Sequence, residues 1–171
     1  LVTGGSRGIG KETARLLVER GAKVVVCGRN EKVVEQTARE LGCSGLRADV
    51  SDVDDVERLV AGTIEPLGGY DALVNNAAIG TFAKLVDTDI ADMGRVWRVN
   101  VLGAFLAAQA SAHHFVKQQG GTILNVGSTA ARKGFAGGSA YASSKFALSG
   151  LTECWRAELR QHGVRVMQIN P

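Results

Sequence analysis

Cysteine is scarce in this sequence, and its placement excludes two kinds of stabilising site. Three cysteines occur in 171 residues, at Cys27, Cys43 and Cys154, and no two of them form a Cys-x-x-Cys pair. An odd number of widely separated cysteines indicates neither a disulfide framework nor a zinc site. We therefore expect a protein of a reducing, cytoplasmic compartment that binds no metal ion.

Long apolar runs and a dominant charge are lacking as well. Runs such as KVVVC at residues 23–27 are much shorter than the about 18 residues that cross a bilayer, and the first residues show no signal-peptide pattern. The 20 basic and 17 acidic residues give a formal net charge of +3, with both signs scattered along the chain. We therefore expect neither a membrane nor a nucleic acid as a partner.

Short β-branched segments alternate with longer segments of helical periodicity. Near-continuous apolar strands are typical of a sheet buried on both faces, and the intervening helices provide the crossovers that parallel strands need. The sequence predicts an α/β fold, a doubly wound (Rossmann) parallel sheet flanked by helices on both faces. The six predicted strands are residues 1–3, 23–27, 45–49, 71–75, 122–127 and 164–169.

Helix signals divide the chain in the same way. Long helical patterns cover about residues 94–119 and 140–162, Gly21 lies where a helix C-cap is expected, and Ser51 with Asp54 resembles a capping box. No repeat or linker interrupts residues 1–171, so we expect one domain. The chain opens at Leu1 as if a strand were already under way and stops at Pro171, so we expect both ends to be trimmed.

A glycine-rich turn, TGGSRGIG at residues 3–10, follows the first predicted strand and opens the first helix. Glycines permit positive φ and let backbone N–H groups approach a pyrophosphate, toward which the helix points its positive dipole end. The Gly-x-x-x-Gly-x-Gly spacing differs from the G-x-G-x-x-G fingerprint. An ordinary tight turn is the alternative, but the position favours a nucleotide site formed by Gly4, Ser6, Arg7, Gly8, Ile9 and Gly10.

Polar side chains are predicted to converge on the same edge of the sheet. Tyr141 and Lys145 are four residues apart on a predicted helix and share a face, while Ser128 ends the fifth predicted strand. Taken singly, the Tyr141–Lys145 spacing is common on solvated helices, and a serine such as Ser128 after a strand usually starts a turn. Taken together, the three residues favour a catalytic site. Asn100 lies at mid-helix among apolar residues and is expected to have a polar task. An asparagine that faces solvent is the open alternative.

Together these segments resemble the short-chain dehydrogenase/reductase family. The resemblance rests on TGGSRGIG, NNAA at residues 75–78, VNVLGAF around Asn100, Ser128 and YASSK at residues 141–145, in the family's order and spacing. Ala78 departs from the glycine that the family usually has, and the family usually continues beyond Pro171 with a substrate lid. The resemblance implies catalytic roles for Asn100, Ser128, Tyr141 and Lys145, and cofactor contacts at Asp49, Val50, Asn76 and Ala77.

The resemblance also implies a reaction. A hydride would pass between a nicotinamide and a carbonyl carbon, with Tyr141 as the acid or base. Lys145 would favour the phenolate and hold the nicotinamide ribose, Ser128 would bond the substrate oxygen, and Asn100 would help to anchor a water chain behind Lys145. It further implies a homo-oligomer, a tetramer or a dimer, assembled through residues 94–119 and 140–162. Large apolar groups fit this interface, although core packing is the alternative: Trp97, Phe105, Phe115, Leu151 and Trp155.

The end of the second predicted strand favours NADP(H), with NAD(H) still possible. An NAD-selective site places a carboxylate about 20 residues beyond the glycine turn, but Gly28 and Arg29 stand there. Arg29, and Arg7 from the other side, would bind a 2′-phosphate with charged forks. Glu31 is the nearest carboxylate, and because it follows the plausible N-cap Asn30, we expect it to serve the next helix.

Two other functions stay open. One is a 3-oxoacyl-[acyl-carrier-protein] reductase, but residues 79–82 read IGTF and Ala140 precedes Tyr141, where that enzyme is expected to have an Arg-Asp pair and an asparagine. A general ketone or alcohol is therefore favoured as the small-molecule substrate. The other is a non-catalytic nucleotide-binding regulatory module, which the presence of Ser128, Tyr141 and Lys145 disfavours.

Overall fold

Helices and strands alternate along the whole chain. The computed structural model describes all residues 1–171. The elements in chain order are α1 (Gly8–Glu19), β1 (Val25–Gly28), α2 (Glu31–Leu41), β2 (Ser44–Arg47), α3 (Val53–Leu67), β3 (Ala72–Asn75), α4 (Ile90–Trp97), α5 (Ala104–Lys117), β4 (Gly121–Val126), α6 (Ser139–Leu159) and β5 (Val164–Ile169).

The strands form a parallel sheet in which the first predicted strand is reduced to a pair of bridges. β1 pairs with β2, and β4 lies between β3 and β5. Val2 joins the two groups through bridges to Val26 and Val74. The prediction of six strands is therefore wrong by one, because residues 1–3 contribute only this contact. The order β2-β1-(1–3)-β3-β4-β5 is that of a doubly wound sheet, and its reversal point lies beside residues 1–3.

Helices cover both faces of the sheet, which confirms the predicted fold class. On one face, α1 and α2 pack on a core of eight buried residues, and on the other, α3, α5 and α6 pack on a core of 18. Neighbouring residues of a strand point to opposite faces, so Val26 belongs to the smaller core while Val25 and Cys27 belong to the larger. No helix combines the length and the apolar character that crossing a membrane requires.

Side-chain caps mark the starts of α2 and α3. The Asn30 side chain accepts a hydrogen bond from the Val33 N–H at 3.2 Å, as its predicted role at the start of α2 requires. At α3 the predicted Ser51–Asp54 capping box is wrong. The Asp52 side chain caps the helix instead, because the Ser51 N–H and hydroxyl both donate to the Asp49 carboxylate.

The predicted helix over residues 94–119 is longer at its start and interrupted at its centre. Asp89 caps α4 by accepting from the Asp92 N–H, so the helix begins at Ile90. A π-helical segment, Arg98–Gly103, then connects α4 to α5. Such segments insert extra backbone into a helix and occur often at functional sites. Asn100 lies in this one.

Two of the side chains predicted for an oligomer interface belong to the core. Phe115 is fully buried and its ring centre lies 4.9 Å from that of Tyr70, and Trp155 is only 7% exposed. The alternative of core packing is therefore right for Phe115, while Trp155 is largely buried and also lines a groove on the surface. An apolar groove of about 400 Å³ does lie between α5 and α6. The other predicted side chains are partly accessible: Trp97, Phe105 and Leu151.

Candidate active site

A cleft of about 680 Å³ opens at the carboxyl edge of the sheet, where the glycine turn meets the ends of β1, β2 and β3. This is the place at which doubly wound sheets bind ligands. Nine of the predicted cofactor residues line it: Gly4, Ser6, Arg7, Ile9, Arg29, Asp49, Val50, Asn76 and Ala77. Gly8 and Gly10 begin α1 directly beside it.

The glycine turn brings the start of α1 against the end of β3. Gly4 has a φ of +62°, and a Cβ on Gly10 would lie 2.4 Å from both the Asn76 Nδ2 and the Gly4 oxygen, so only glycine fits at position 10. No side chain caps α1, whereas asparagine or aspartate side chains cap α2, α3 and α4. The first N–H groups of α1 are therefore open to an anion at the positive end of the helix.

Asn76 and Thr3 tie the far wall of the cleft to this turn. The Asn76 side-chain amide donates to the carbonyls of Thr3 and Gly4, at 3.0 and 3.2 Å. The Thr3 hydroxyl oxygen in turn accepts from the N–H groups of Asn76 and Ala77, at 3.0 and 3.1 Å. The sequence analysis did not predict Thr3 as a site residue. Its position directly before Gly4, between a strand and the glycine turn, is the sequence signal that could have indicated it.

The Gly28 end of the cleft carries two arginines without ion-pair partners. Arg7 and Arg29 both line the cleft and are exposed, and neither forms one of the salt bridges of the fold. Glu31 is the first residue of α2 and does not line the cleft. Burial acts to raise the pKa of Asp49, but bonds from Ser51, with the charge of Arg29 nearby, lower it overall.

Lys145 connects α6 to the end of β4 from inside the protein. Its side chain is buried, and Nζ donates to the Val126 carbonyl at 2.8 Å. Nζ also lies 5.7 Å from the ring centre of Tyr141. Burial lowers the pKa of Lys145 from 10.5 to about 8. A buried cation therefore lies beside the tyrosine, as the spacing of the two residues predicts.

The Tyr141 hydroxyl makes no hydrogen bond within the protein, and the residue is only half-buried. Its ring centre is 5.7 Å from that of Phe82, which in turn lies 6.0 Å from that of Phe135. Phe82 is 61% exposed and Phe135 is 50% exposed. The Tyr141 ring thus packs beside an accessible aromatic surface.

Ser128 lies two residues beyond the end of β4. The last residue of that strand, Val126, is the one whose carbonyl accepts the hydrogen bond from Lys145. Its Oγ accepts from the Ala130 N–H at 3.1 Å, which leaves the hydroxyl hydrogen free to donate. Ser128, Tyr141 and Lys145 therefore belong to one edge of the sheet and have no direct hydrogen bonds among them. The hydroxyl hydrogens of Ser128 and Tyr141 thus have no acceptor within the protein.

Asn100 is 2% exposed, so the alternative of a solvent-facing asparagine is wrong. Its amide accepts from the Ile79 N–H and donates to the Ile79 carbonyl, both at 2.8 Å, and donates to the Ser144 hydroxyl at 3.0 Å. Ser144 lies between Tyr141 and Lys145 and donates to the Tyr141 carbonyl. Asn100 thus links the cleft wall at Ile79 to α6, and the sequence analysis predicted neither Ile79 nor Ser144 as its partner.

Comparison with known proteins gives a single family. The family model described as short chain dehydrogenase matches residues 1–171. Carbonyl reductase family member 4 of Xenopus tropicalis is 35% identical over 171 residues, which cover 99% of this chain and 72% of that protein. Uncharacterized oxidoreductase YxnA of Bacillus subtilis (strain 168) is 39% identical over 179 residues, which cover 100% of this chain and 50% of that protein.

Solved structures agree with the sequence comparison. The crystal structure of a metagenomic short-chain oxidoreductase in complex with NADP superposes with a TM-score of 0.93 at 35% identity. The match covers 99% of this chain and 80% of that one. This chain spans about half the length of some of the curated relatives that it matches.

Proposed function

The chain belongs to the short-chain dehydrogenase/reductase family, and we propose that it is the nucleotide-binding and catalytic domain of an NADP(H)-dependent oxidoreductase. The reaction is the interconversion of a ketone and a secondary alcohol. One observation carries the proposal: the ring of Tyr141, whose hydroxyl has no hydrogen-bond partner within the protein, lies 5.7 Å from the buried Lys145 ammonium, which is bonded to the last residue of β4 at the carboxyl edge of the sheet.

The cleft suits a dinucleotide in shape and in charge. The uncapped start of α1 and the open Gly4 turn provide backbone donors for a pyrophosphate. Asp49 and Val50, at the end of β2, would hold the adenine, and Asn76 and Ala77 would line the remainder. The residues assigned to the pyrophosphate are Gly4, Ser6, Arg7, Gly8, Ile9 and Gly10, and those assigned to the nicotinamide ribose are Tyr141 and Lys145.

Preference for NADP(H) follows from the arginines at the Gly28 end of the cleft. Arg7 and Arg29 are free of carboxylate partners there, and a guanidinium binds a phosphate through two charge-assisted hydrogen bonds. Glu31 lies outside the lining and serves the first turn of α2. The structural relative that was crystallised with NADP adds support, since it matches 99% of this chain.

The side chains of Tyr141, Lys145 and Ser128 have distinct tasks in the chemical step. The nicotinamide, when bound, supplies or accepts the hydride at the carbonyl carbon. In the direction of reduction, Tyr141 donates its hydroxyl proton to the substrate oxygen, and the Lys145 ammonium stabilises the phenolate that remains. Ser128 donates its free hydroxyl hydrogen to the same oxygen and holds it in place.

Asn100 supports this arrangement from behind the reacting groups. Its two amide hydrogens are engaged by Ile79 and Ser144, so the side chain fixes the position of α6 relative to the cleft. A water chain that resupplies the proton to Lys145, as the family resemblance implies, would then use groups other than these two hydrogens.

The surroundings of Tyr141 favour an apolar carbonyl compound. The exposed ring of Phe82 lies against the ring of Tyr141, and the exposed ring of Phe135 lies against that of Phe82. Exposed aromatic surface of this kind binds apolar groups. A relative named as a carbonyl reductase supports this choice. A 3-oxoacyl-[acyl-carrier-protein] reductase is the second candidate, and a regulatory module that binds nucleotide without turnover is the third.

A substrate screen separates these functions. The full-length protein is assayed with NADPH against apolar ketones, sugars and acyl thioesters, and the loss of nicotinamide absorbance is followed. We expect turnover of ketones. Turnover of acyl thioesters alone would favour the acyl-carrier-protein substrate. Tight NADPH binding without turnover of any class, in a protein whose Tyr141→Phe variant behaves identically, would favour the regulatory module.

The groove between α5 and α6 suits a second copy of the chain. Its lining is largely apolar, and it includes Phe105 and Leu159 together with one basic and one acidic side chain, Lys117 and Glu158. An apolar centre with charges of both signs is typical of a homo-oligomer interface. A tetramer or a dimer built through this groove is therefore part of the proposal, as is the assignment of residues 1–171 to a single domain.

A further inference from the structure

Two amide side chains, Gln168 on β5 and Asn170 directly after it, lie between α6 and the turn that carries Ser128. Side chains alternate along a strand, so Gln168 and Asn170 lie on one face. The Gln168 Oε1 accepts from the Thr152 hydroxyl at 2.9 Å, and its Nε2 donates to the Ser149 hydroxyl at 2.8 Å. Both partners are on α6. Gln168 therefore holds this helix one turn beyond Lys145, whose carbonyl accepts from the same Ser149 hydroxyl.

The same Gln168 amide continues to the turn that carries Ser128. Its Nε2 donates to the Asn170 Oδ1 at 2.8 Å, and that oxygen also accepts from the Ser128 backbone N–H at 3.1 Å. An unbroken chain of hydrogen bonds thus joins α6 to Ser128 through two amides. Both Nε2 hydrogens of Gln168 are used in it, so neither contact has a substitute donor on that side chain.

The backbone of this turn is held by β5 and the residues after it at three successive positions. The Gly127 N–H donates to the Ile169 carbonyl at 2.7 Å, the Ser128 N–H to Asn170, and the Thr129 N–H to the Pro171 carbonyl at 3.2 Å. Only the central bond is made by a side chain. The position of Ser128 therefore depends on which side chain stands at position 170. The positions of Gly127 and Thr129 do not, because backbone carbonyls hold them.

Gly127 makes this approach possible. A Cβ on Gly127 would lie 2.1 Å from the Asn170 Oδ1 and 2.6 Å from the Gln168 Nε2. Any larger residue would push both amides away. Glycine is therefore required at position 127 for the side chains of Gln168 and Asn170 to pack against it.

We propose that Gln168 and Asn170 are positioning residues that set the separation between the Ser128 hydroxyl and the Tyr141–Lys145 pair. The inference rests on the proposed function, since it assigns to the two amides the geometry which that reaction needs. A substrate oxygen must meet Ser128 and Tyr141 together, and a displacement of either group by a fraction of an ångström lowers the rate steeply. The part of the cofactor cleft assigned to the adenine and the pyrophosphate is lined by residues at the ends of β1, β2 and β3 and by neither amide, so we expect nucleotide affinity to depend little on Gln168 and Asn170.

The test uses variants of the full-length protein that separate hydrogen bonding from packing. Gln168→Glu keeps the size of the side chain but removes both Nε2 donors. Asn170→Asp keeps an oxygen acceptor for Ser128, whereas Asn170→Leu removes it. Met167→Leu is the control, because Met167 lies on the opposite, exposed face of β5. For each variant, kcat, the KM values for NADPH and ketone, and the melting temperature are measured.

We expect kcat to fall about tenfold or more in Gln168→Glu and Asn170→Leu, with the KM for NADPH nearly unchanged. Asn170→Asp should recover most of the Asn170→Leu loss, and Met167→Leu should match the wild type. A purely structural role for the amides would lower the melting temperature without this pattern in kcat. Should Asn170→Leu fail to fold, the comparison of Gln168→Glu with the wild type decides alone.

Ser128→Ala distinguishes failure of this inference from failure of the proposed function. If Ser128→Ala turns over ketone at the wild-type rate, the proposed function is wrong. If Ser128→Ala is inactive while a folded Gln168→Glu keeps the wild-type kcat, the proposed function stands and the positioning role of the amides is overturned.

Discussion

The ammonium group of Lys145 donates a hydrogen bond to the carbonyl oxygen of Val126, 2.8 Å away, at a position where the lysine is only 3% exposed. This is the only hydrogen bond that the buried Nζ makes within the protein. Because burial disfavours the charged form, the pKa of Lys145 falls to about 8. The positive charge of Lys145, which the proposed reaction needs, therefore lowers the free energy of unfolding of the nucleotide-free protein.

Replacing Lys145 with methionine should therefore stabilise the nucleotide-free protein while it abolishes turnover. Below pH 8 the folded wild type holds the full unfavourable charge. Between about pH 8 and 10.5 the unfolded chain binds more protons than the folded one, so the stability of the wild type rises with pH. The Lys145→Met variant lacks this slope. Its advantage should be about 1–2 kcal/mol near neutral pH, after allowance for the lost hydrogen bond.

Urea unfolding at about pH 7 and about pH 10 measures both the size and the slope of this effect. Lys133→Met is the matched control because Lys133 is exposed. This substitution should change neither the free energy of unfolding at neutral pH nor its dependence on pH. A Lys145→Met variant that is less stable than the wild type at neutral pH would show that the buried ammonium contributes favourably to folding.

Arg29→Ala should weaken NADP(H) binding by at least about tenfold and leave NAD(H) binding nearly unchanged. The guanidinium is free of ion pairs at the Gly28 end of the cleft, and its bonds to a phosphate are worth roughly 1.5–3 kcal/mol. Calorimetric titration with each nucleotide gives the two affinities. Arg39→Ala, on the exposed side of α2, is the control. Equal losses for both nucleotides, or a wild type that prefers NAD(H), would contradict the role of Arg29.

Phe105→Glu should disperse the oligomer, because it places a charge in the apolar groove between α5 and α6. Sedimentation of the full-length protein at micromolar concentration measures the state of assembly. Val53→Glu is the control, since Val53 is exposed at the start of α3, on a different surface. A monomeric wild type under these conditions would remove the proposed interface.

Local signals carried most of what the sequence could predict. The strand over Val164–Ile169 and the Asn30 cap match the structure residue by residue, because strand and cap preferences act over a few neighbours. The convergence of Tyr141 and Lys145 was predictable for the same reason, since four residues make one helical turn.

Features that depend on distant partners were not predictable. Residues 1–3 form only bridges because their partners, Val26 and Val74, come from other parts of the chain. The burial of Phe115 depends on Tyr70, and the role of Gln168 depends on the turn at Ser128, about 40 residues earlier. Ser51 failed as a cap because the nearby Asp49 carboxylate offers a competing acceptor.

The most direct test of the proposed reaction is the turnover number of Tyr141→Phe in the full-length protein, measured from NADPH absorbance with a ketone that the wild type reduces. The substitution deletes the transferable proton and little else, so we expect turnover to be abolished, a loss of about 3–5 kcal/mol of transition-state stabilisation, with NADPH affinity nearly unchanged. Tyr70→Phe, which removes a hydroxyl bonded to Ser111 inside the core, should keep its activity. A Tyr141→Phe variant that retains a tenth of the wild-type rate would contradict the assignment of Tyr141 as the acid–base group.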